Sequence, residues 1–200
     1  MKKLNLLLLA GAAVLLSACI PSVNPFYTEK DAVFDPRLLG EWQEKDTKDQ
    51  PESWEFEKGD DKAYKLTTMD KEGKRGEFAA HLFKLKREHF LDLVPTKCDY
   101  ATNQADLVAF AMFPGHLLMR VSQLDSKLKL AAFNSDWLEK YLKEHPKALA
   151  HHLEDKHILL TADTRALQRF VLKHLGEGEL FPEPGEMVRR PGAPAEAKQK

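Results

Sequence analysis

The feature that most constrains this chain is a series of short segments in which apolar and polar residues alternate, each joined to the next by a turn of few residues. Trp54 and Phe56 alternate with polar neighbours in residues 53 to 58, and Tyr64 and Leu66 do so in residues 63 to 69. A period of two puts such side chains on one face of a pleated strand, as in a sheet with one face buried. Between and beyond them, residues 39 to 44, 77 to 85, 90 to 94, 116 to 124 and 127 to 133 also read as strands. Asp70-Lys71-Glu72-Gly73-Lys74 is a polar hairpin turn in which Gly73 supplies the positive φ, and Lys86 to His89 and Asp125-Ser126 are further turns. Connections this short leave room only for neighbouring antiparallel strands.

The second half turns helical. Asp136 stands three residues before Glu139 in a capping-box arrangement, with Trp137, Leu138, Tyr141 and Leu142 as the apolar stripe behind it. Pro146 suits the first turn of a second short helix through about Leu153, and residues 156 to 161 read as one more strand. Asp163 opens a third helix carrying Leu167, Phe170, Val171 and His174 at helical spacing, stopped by Gly176 and Gly178. There is no internal repeat. The pattern predicts a β-rich α+β fold: an antiparallel up-and-down barrel or strongly curved sheet, with two or three helices on its outside or over one end.

The N-terminus has its own logic. Met1-Lys2-Lys3 precedes an apolar run from Leu4 to Leu16, and Ser17-Ala18-Cys19 follows. A short basic region, an apolar core too short to span a bilayer and small residues before a cut predict a secretory signal that is removed. Leu16-Ser17-Ala18-Cys19 resembles the lipobox of bacterial lipoproteins, which implies acyl chains on Cys19 and cleavage just before it. Two or three such chains hold firmly where one binds only marginally. By the same resemblance, Ile20 in place of an aspartate implies the outer membrane, on its periplasmic side, in a Gram-negative cell. The segment from Asn24 through Trp42 also resembles a group of bacterial lipoproteins, which carries over no activity.

Removal of residues 1–18 leaves 182 residues with 28 basic and 31 acidic side chains, a net charge of −3. That balance argues against a nucleic-acid partner, which needs a basic patch. With Cys19 used as an anchor, Cys98 has no partner within the chain; a buried thiol is its expected state, a reactive or intermolecular one the alternative. The proline-rich residues 19–36 are expected to form a lipidated tether and residues 37–180 one β-rich domain. Residues 181–200, crowded with proline and glycine, are expected to form a disordered tail.

Phe34-Asp35-Pro36-Arg37-Leu38-Leu39-Gly40-Glu41-Trp42 runs from a turn into a strand through Gly-x-Trp, and resembles the opening of lipocalins and related calycin barrels. The resemblance implies that Trp42 closes the barrel floor and that Gly40 lets the chain approach it closely. Whether Arg120, Arg165 or another arginine covers the indole is open at this stage.

Catalytic patterns are sparse. No Gly-x-Ser-x-Gly elbow, phosphate-cradling glycine loop or Cys-x-x-Cys is present. On a helix the adjacent His151 and His152 would point about 100° apart, unlike an i, i+4 ligand pair. His81, His89, His116, His145 and His174 stand singly, and Asp60-Asp61 reads as a solvated turn. Neither metal nor cofactor is expected. Leu107 to Phe113 is nearly all apolar; it is either a buried strand or an apolar flap carrying Phe110, Met112 and Phe113. The expectation for function is a non-catalytic binding or carrier module for an apolar small molecule or lipid, since barrels of this kind enclose cavities. The alternative is an accessory envelope protein that binds a protein partner.

Overall fold

The turns read from the sequence set the topology. The computed structural model describes residues 20–45, 51–98 and 114–190, the side chains of residues 97 and 98 excepted. Strands β1 (Pro21–Ser22), β2 (Gly40–Glu44), β3 (Ser53–Lys58), β4 (Ala63–Met69), β5 (Arg75–Leu85), β6 (Glu88–Cys98), β7 (His116–Leu124) and β8 (Lys127–Ala132) come first. Helix α1 (Ser135–Glu144), β9 (His151–Glu154), β10 (His157–Leu160), helix α2 (Thr164–His174) and β11 (Gly185–Arg189) follow. Strands β2 to β8 pair in sequence order, β11 joins β8 back to β2, and β6 also pairs with β7, which closes an eight-stranded antiparallel barrel. Strands β1, β10 and β9 continue the sheet outward from β7.

Strand alternation divides the apolar residues between two cores. Inside the barrel lie Trp42, Phe56, Tyr64, Leu66, Leu82, Leu91, Leu128 and Leu130 with their neighbours. On the outer wall of β5 to β8, Phe83, Phe90, Leu118 and Ala131 pack against Leu138 and Leu142 of α1 and Leu167, Phe170 and Val171 of α2. Phe83 and Phe90 face each other in register, ring centroids 5.5 Å apart. Strands buried on both faces need apolar residues in succession, which accounts for Leu82-Phe83, Phe90-Leu91 and Leu118-Met119.

Four expectations need correction. Residues 20–36 are not a free tether: Ile20, Phe26 and Ala32 are buried in or against the barrel wall, and β1 pairs with both β7 and β10. Their prolines forbid a helix, yet apolar residues spaced six apart are enough to anchor an extended chain along an apolar wall. Residues 181–190 are not a tail either. Leu180 and Phe181 are buried in the outer core, and β11 covers the edges of β2 and β8, whose backbone groups would otherwise stand unpaired. The segment from Pro146 to Leu153 forms turns and then β9, because β9 gains a full ladder with β10 that a helix of two turns could not match. Helix α1 is capped by Asn134, whose side chain accepts the Trp137 N–H; Asp136 lies inside the first turn. Asp163 caps α2 by accepting the Ala166 N–H, in accord with the sequence.

Candidate ligand-binding site

The two ends of the barrel differ. At the end where β2 begins, a short 3-10 turn (Pro36–Leu38) leads the chain under the barrel, with Asp35 accepting the Arg37 N–H. The indole of Trp42 is fully buried and donates to the Leu38 carbonyl at 2.9 Å. Arg189 of β11 stands in register with Trp42, its guanidinium carbon 4.3 Å from the centroid of the Trp42 ring. The same guanidinium donates to the carbonyls of Leu39 and Arg37. Gly40 has φ +103°, and a Cβ there would stand 3.1 Å from Arg189 Nη1. Glycine is therefore required at this position both for its backbone and for the arginine beside it.

Tyr64 ties the same end together. Its hydroxyl donates to the Asp35 carbonyl at 3.0 Å and accepts the Asp35 N–H at 2.6 Å, and burial pushes its pKa up to about 12. Phe34 stacks on the Tyr64 ring with centroids 5.0 Å apart. With Leu38, Leu66, Leu82, Leu91 and Leu128 at 0% exposure, this end is sealed.

At the opposite end, where β2, β4, β6 and β8 finish, Leu93 and Met187 are buried but four other inward-facing apolar side chains are only half-buried. They are Trp54 on β3, Phe78 on β5, Leu117 on β7 and Ala132 on β8, all packed on the inner core. Their polar company at this rim is Thr68 and the Glu44 carboxylate, which pairs with Lys71 of the β4–β5 turn at 3.3 Å. Glu52, beside β3, has its pKa raised by burial, with Lys71 pulling the other way. Among the described residues, polar bonds to the backbone thus gather at one end of the barrel, and half-buried apolar side chains with a Glu–Lys pair at the other.

A second polar group lies on the outer wall. Asp92 is fully buried and accepts the Phe26 N–H at 2.8 Å, while His116 Nδ1 lies 2.7 Å from its other oxygen. His81 stands in register with Asp92 on the next strand, with the ring of Tyr27 stacked on it at 4.5 Å. Burial holds the His81 imidazole below the ordinary histidine range; the Asp92 carboxylate opposes this shift and His116 adds to it. These contacts fasten residues 26 and 27 to the barrel.

Of the residues singled out in the sequence, Gly40 and Trp42 meet at the sealed end. Arg120 instead pairs with Glu88 at 2.8 Å on the outer wall, Arg165 is exposed on α2, and the arginine over the indole is Arg189. Placing residues 181–200 in a tail is what hid it. His151 and His152 lie on strand β9, not on a helix, so they point to opposite faces. His81, read as isolated, stands opposite Asp92 in cross-strand register, and His116 reaches the same carboxylate from two residues before its register partner Leu118. Cys19, Phe110, Met112 and Phe113 lie outside the described residues, as does the Cys98 side chain. Among the described residues, no group of three or more His, Cys, Asp or Glu is placed to hold a metal ion, and no helix is long and apolar enough to cross a membrane. No family model matches the chain, and neither a curated protein nor a solved structure matches it.

Proposed function

We propose that this protein is a lipid-anchored, non-catalytic carrier that holds an apolar small molecule or a lipid acyl chain at the accessible end of its barrel. The observation that carries the reading is the contrast between the ends: Trp42 is fully buried over a sealed floor, while Trp54, Phe78 and Leu117 face inward and remain half-buried. Partly accessible apolar side chains with a few polar groups beside them are the usual lining of a small-molecule site. Glu44 and Lys71 at that rim suit the polar head of an amphipathic ligand.

Cys19, at the end of the lipobox-like Leu16-Ser17-Ala18-Cys19, supplies the membrane attachment in this reading, on the periplasmic face of the outer membrane. Solvent extraction of the purified anchored protein, followed by mass spectrometry, tests the carrier role. A bound apolar molecule lost on Phe78→Ser supports it. Extracts without any such molecule, from a protein that also takes up no apolar probe, would favour the reading as an accessory envelope protein that binds a protein partner.

A further inference from the structure

We propose that residues 25–30 form an acid-sensitive latch on the barrel wall, which one proton on His81 opens at Phe26 and Tyr27 while the barrel stays folded. Asp92 is fully buried with both oxygens engaged: Oδ2 accepts the Phe26 N–H at 2.8 Å, and His116 Nδ1 lies 2.7 Å from Oδ1. His81 stands opposite Asp92 in register, and the Tyr27 ring stacks over it with centroids 4.5 Å apart. Phe26 is buried in the outer core, edge-on to Phe133. The chain is fixed on either side of this stretch, where the Val23 N–H donates to the Leu160 carbonyl and the Val33 N–H to the Leu82 carbonyl. A movement at residues 26 and 27 is therefore bounded at both ends.

His81 is the weak point of the closed latch. Its Nδ1 is buried without a hydrogen-bond partner among the described residues. A bare lone pair is tolerated in such a place more readily than an unpaired N–H, so the neutral ring keeps its hydrogen on Nε2 and a second proton must go to Nδ1. That proton turns Nδ1 into a charged donor without an acceptor, which burial makes costly. Two movements supply an acceptor: Tyr27 lifts and admits water, or Asp92 turns an oxygen from the Phe26 N–H to His81. Both unfasten the latch.

The surrounding charges do not rescue the closed form. Groups facing His81 are Asp92 from β6, His116 from β7 and Tyr27 from the latch, while β4 presents Ala63 in register. Burial weighs most against the proton, Asp92 favours it and His116 opposes it, with the balance below the ordinary histidine range. Opening also gives up the bond from Gln168 of α2 to the Phe26 carbonyl, at 3.0 Å, so the latch closes again when the proton leaves. The open form bares Phe26 and the outer core beneath it, an apolar surface that is covered at neutral pH.

Amide hydrogen exchange of the full-length protein, resolved to Phe26 by fragmentation mass spectrometry and corrected for the intrinsic rate at each pH, tests the latch from pH 7.5 to 5 with and without low urea. One proton raises the opening equilibrium by up to about tenfold per pH unit below about 6.5, where an unburied histidine titrates. Protection of the Phe26 amide should fall on that scale and ignore sub-denaturing urea, as local openings do. The Leu66 amide inside the barrel should stay far better protected and follow urea. His81→Phe keeps a ring beneath Tyr27 but binds no proton, and should hold the pH 7.5 protection of Phe26 throughout. Phe26 protection that does not change with pH, that changes equally in His81→Phe, or that tracks urea as Leu66 does overturns the latch. If His81→Phe melts early, His81→Gln takes its place.

Discussion

The guanidinium of Arg189 stands over the indole of Trp42, its carbon 4.3 Å from the ring centroid, and bonds two backbone carbonyls beneath the barrel at the same time. One side chain thereby joins the last strand of the barrel to the first and fastens the Pro36–Leu38 turn below both.

Trp42→Ala should destabilise the domain by about 3–5 kcal/mol, the usual cost of truncating a buried aromatic. Arg189→Lys keeps the charge but loses the planar fork whose two nitrogens each bond a carbonyl, and should cost about 1–2 kcal/mol. Gly40→Ala forces a side chain into positive φ and against the arginine, with a cost of about 1 kcal/mol or more. Urea melts of the three variants check the series. An Arg189→Lys protein as stable as the parent would show that the fork does not fasten this end.

Tyr64 gives an alkaline signature. Its pKa is pushed up to about 12 by burial, against about 10 in the unfolded chain. The unfolded state therefore releases this proton first, and stability should be lost as pH rises above about 10. Absorbance at 295 nm should show a late tyrosine that is missing in Tyr64→Phe. That variant also strands the Asp35 N–H and should melt earlier by about 1–3 kcal/mol.

On the acid side, burial lowers the pKa of His81, and of His89 as well. The unfolded chain, titrating near about 6.5, takes up these protons before the folded one does. Stability should be fully present above that pH and fall as pH drops through it toward the folded values. Urea midpoints measured between pH 7.5 and 5 should show the decline, and His81→Gln should flatten it. A slope unchanged in His81→Gln would place its source elsewhere.

The parts of this fold legible in the sequence are those where one face is buried and turns are tight. Residues 53 to 58 and 63 to 69 alternate cleanly, and β3 and β4 occupy those same bounds. The segments that escaped are those whose burial comes from distant chain. The inner-facing positions of β11 are Gly185, Met187 and Arg189, so its composition gives almost no apolar signal, and its strand form depends on the edges of β2 and β8. Residues 20–36 pack because the insertion carrying α1 and α2 builds an outer core that local periodicity does not reveal. The Asp92 cluster escaped as well: counting back from a turn at Lys86 to His89 sets His81 opposite Val94, and only the two-residue turn at Lys86-Arg87 in the structure pairs His81 with Asp92. So did the half-buried rim around Trp54 and Phe78, because exposure of an inward residue depends on where the barrel ends.

Uptake of a fluorescent fatty-acid probe by the domain without its anchor, compared between the parent and Trp54→Ser and Phe78→Ser, tests the carrier account most directly. The account predicts saturable uptake by the parent, quenching of Trp54 emission as the probe binds, and loss of uptake in both variants with the sealed end intact and only a modest fall in melting temperature. A parent that takes up no probe, or variants that bind it as the parent does, would contradict it.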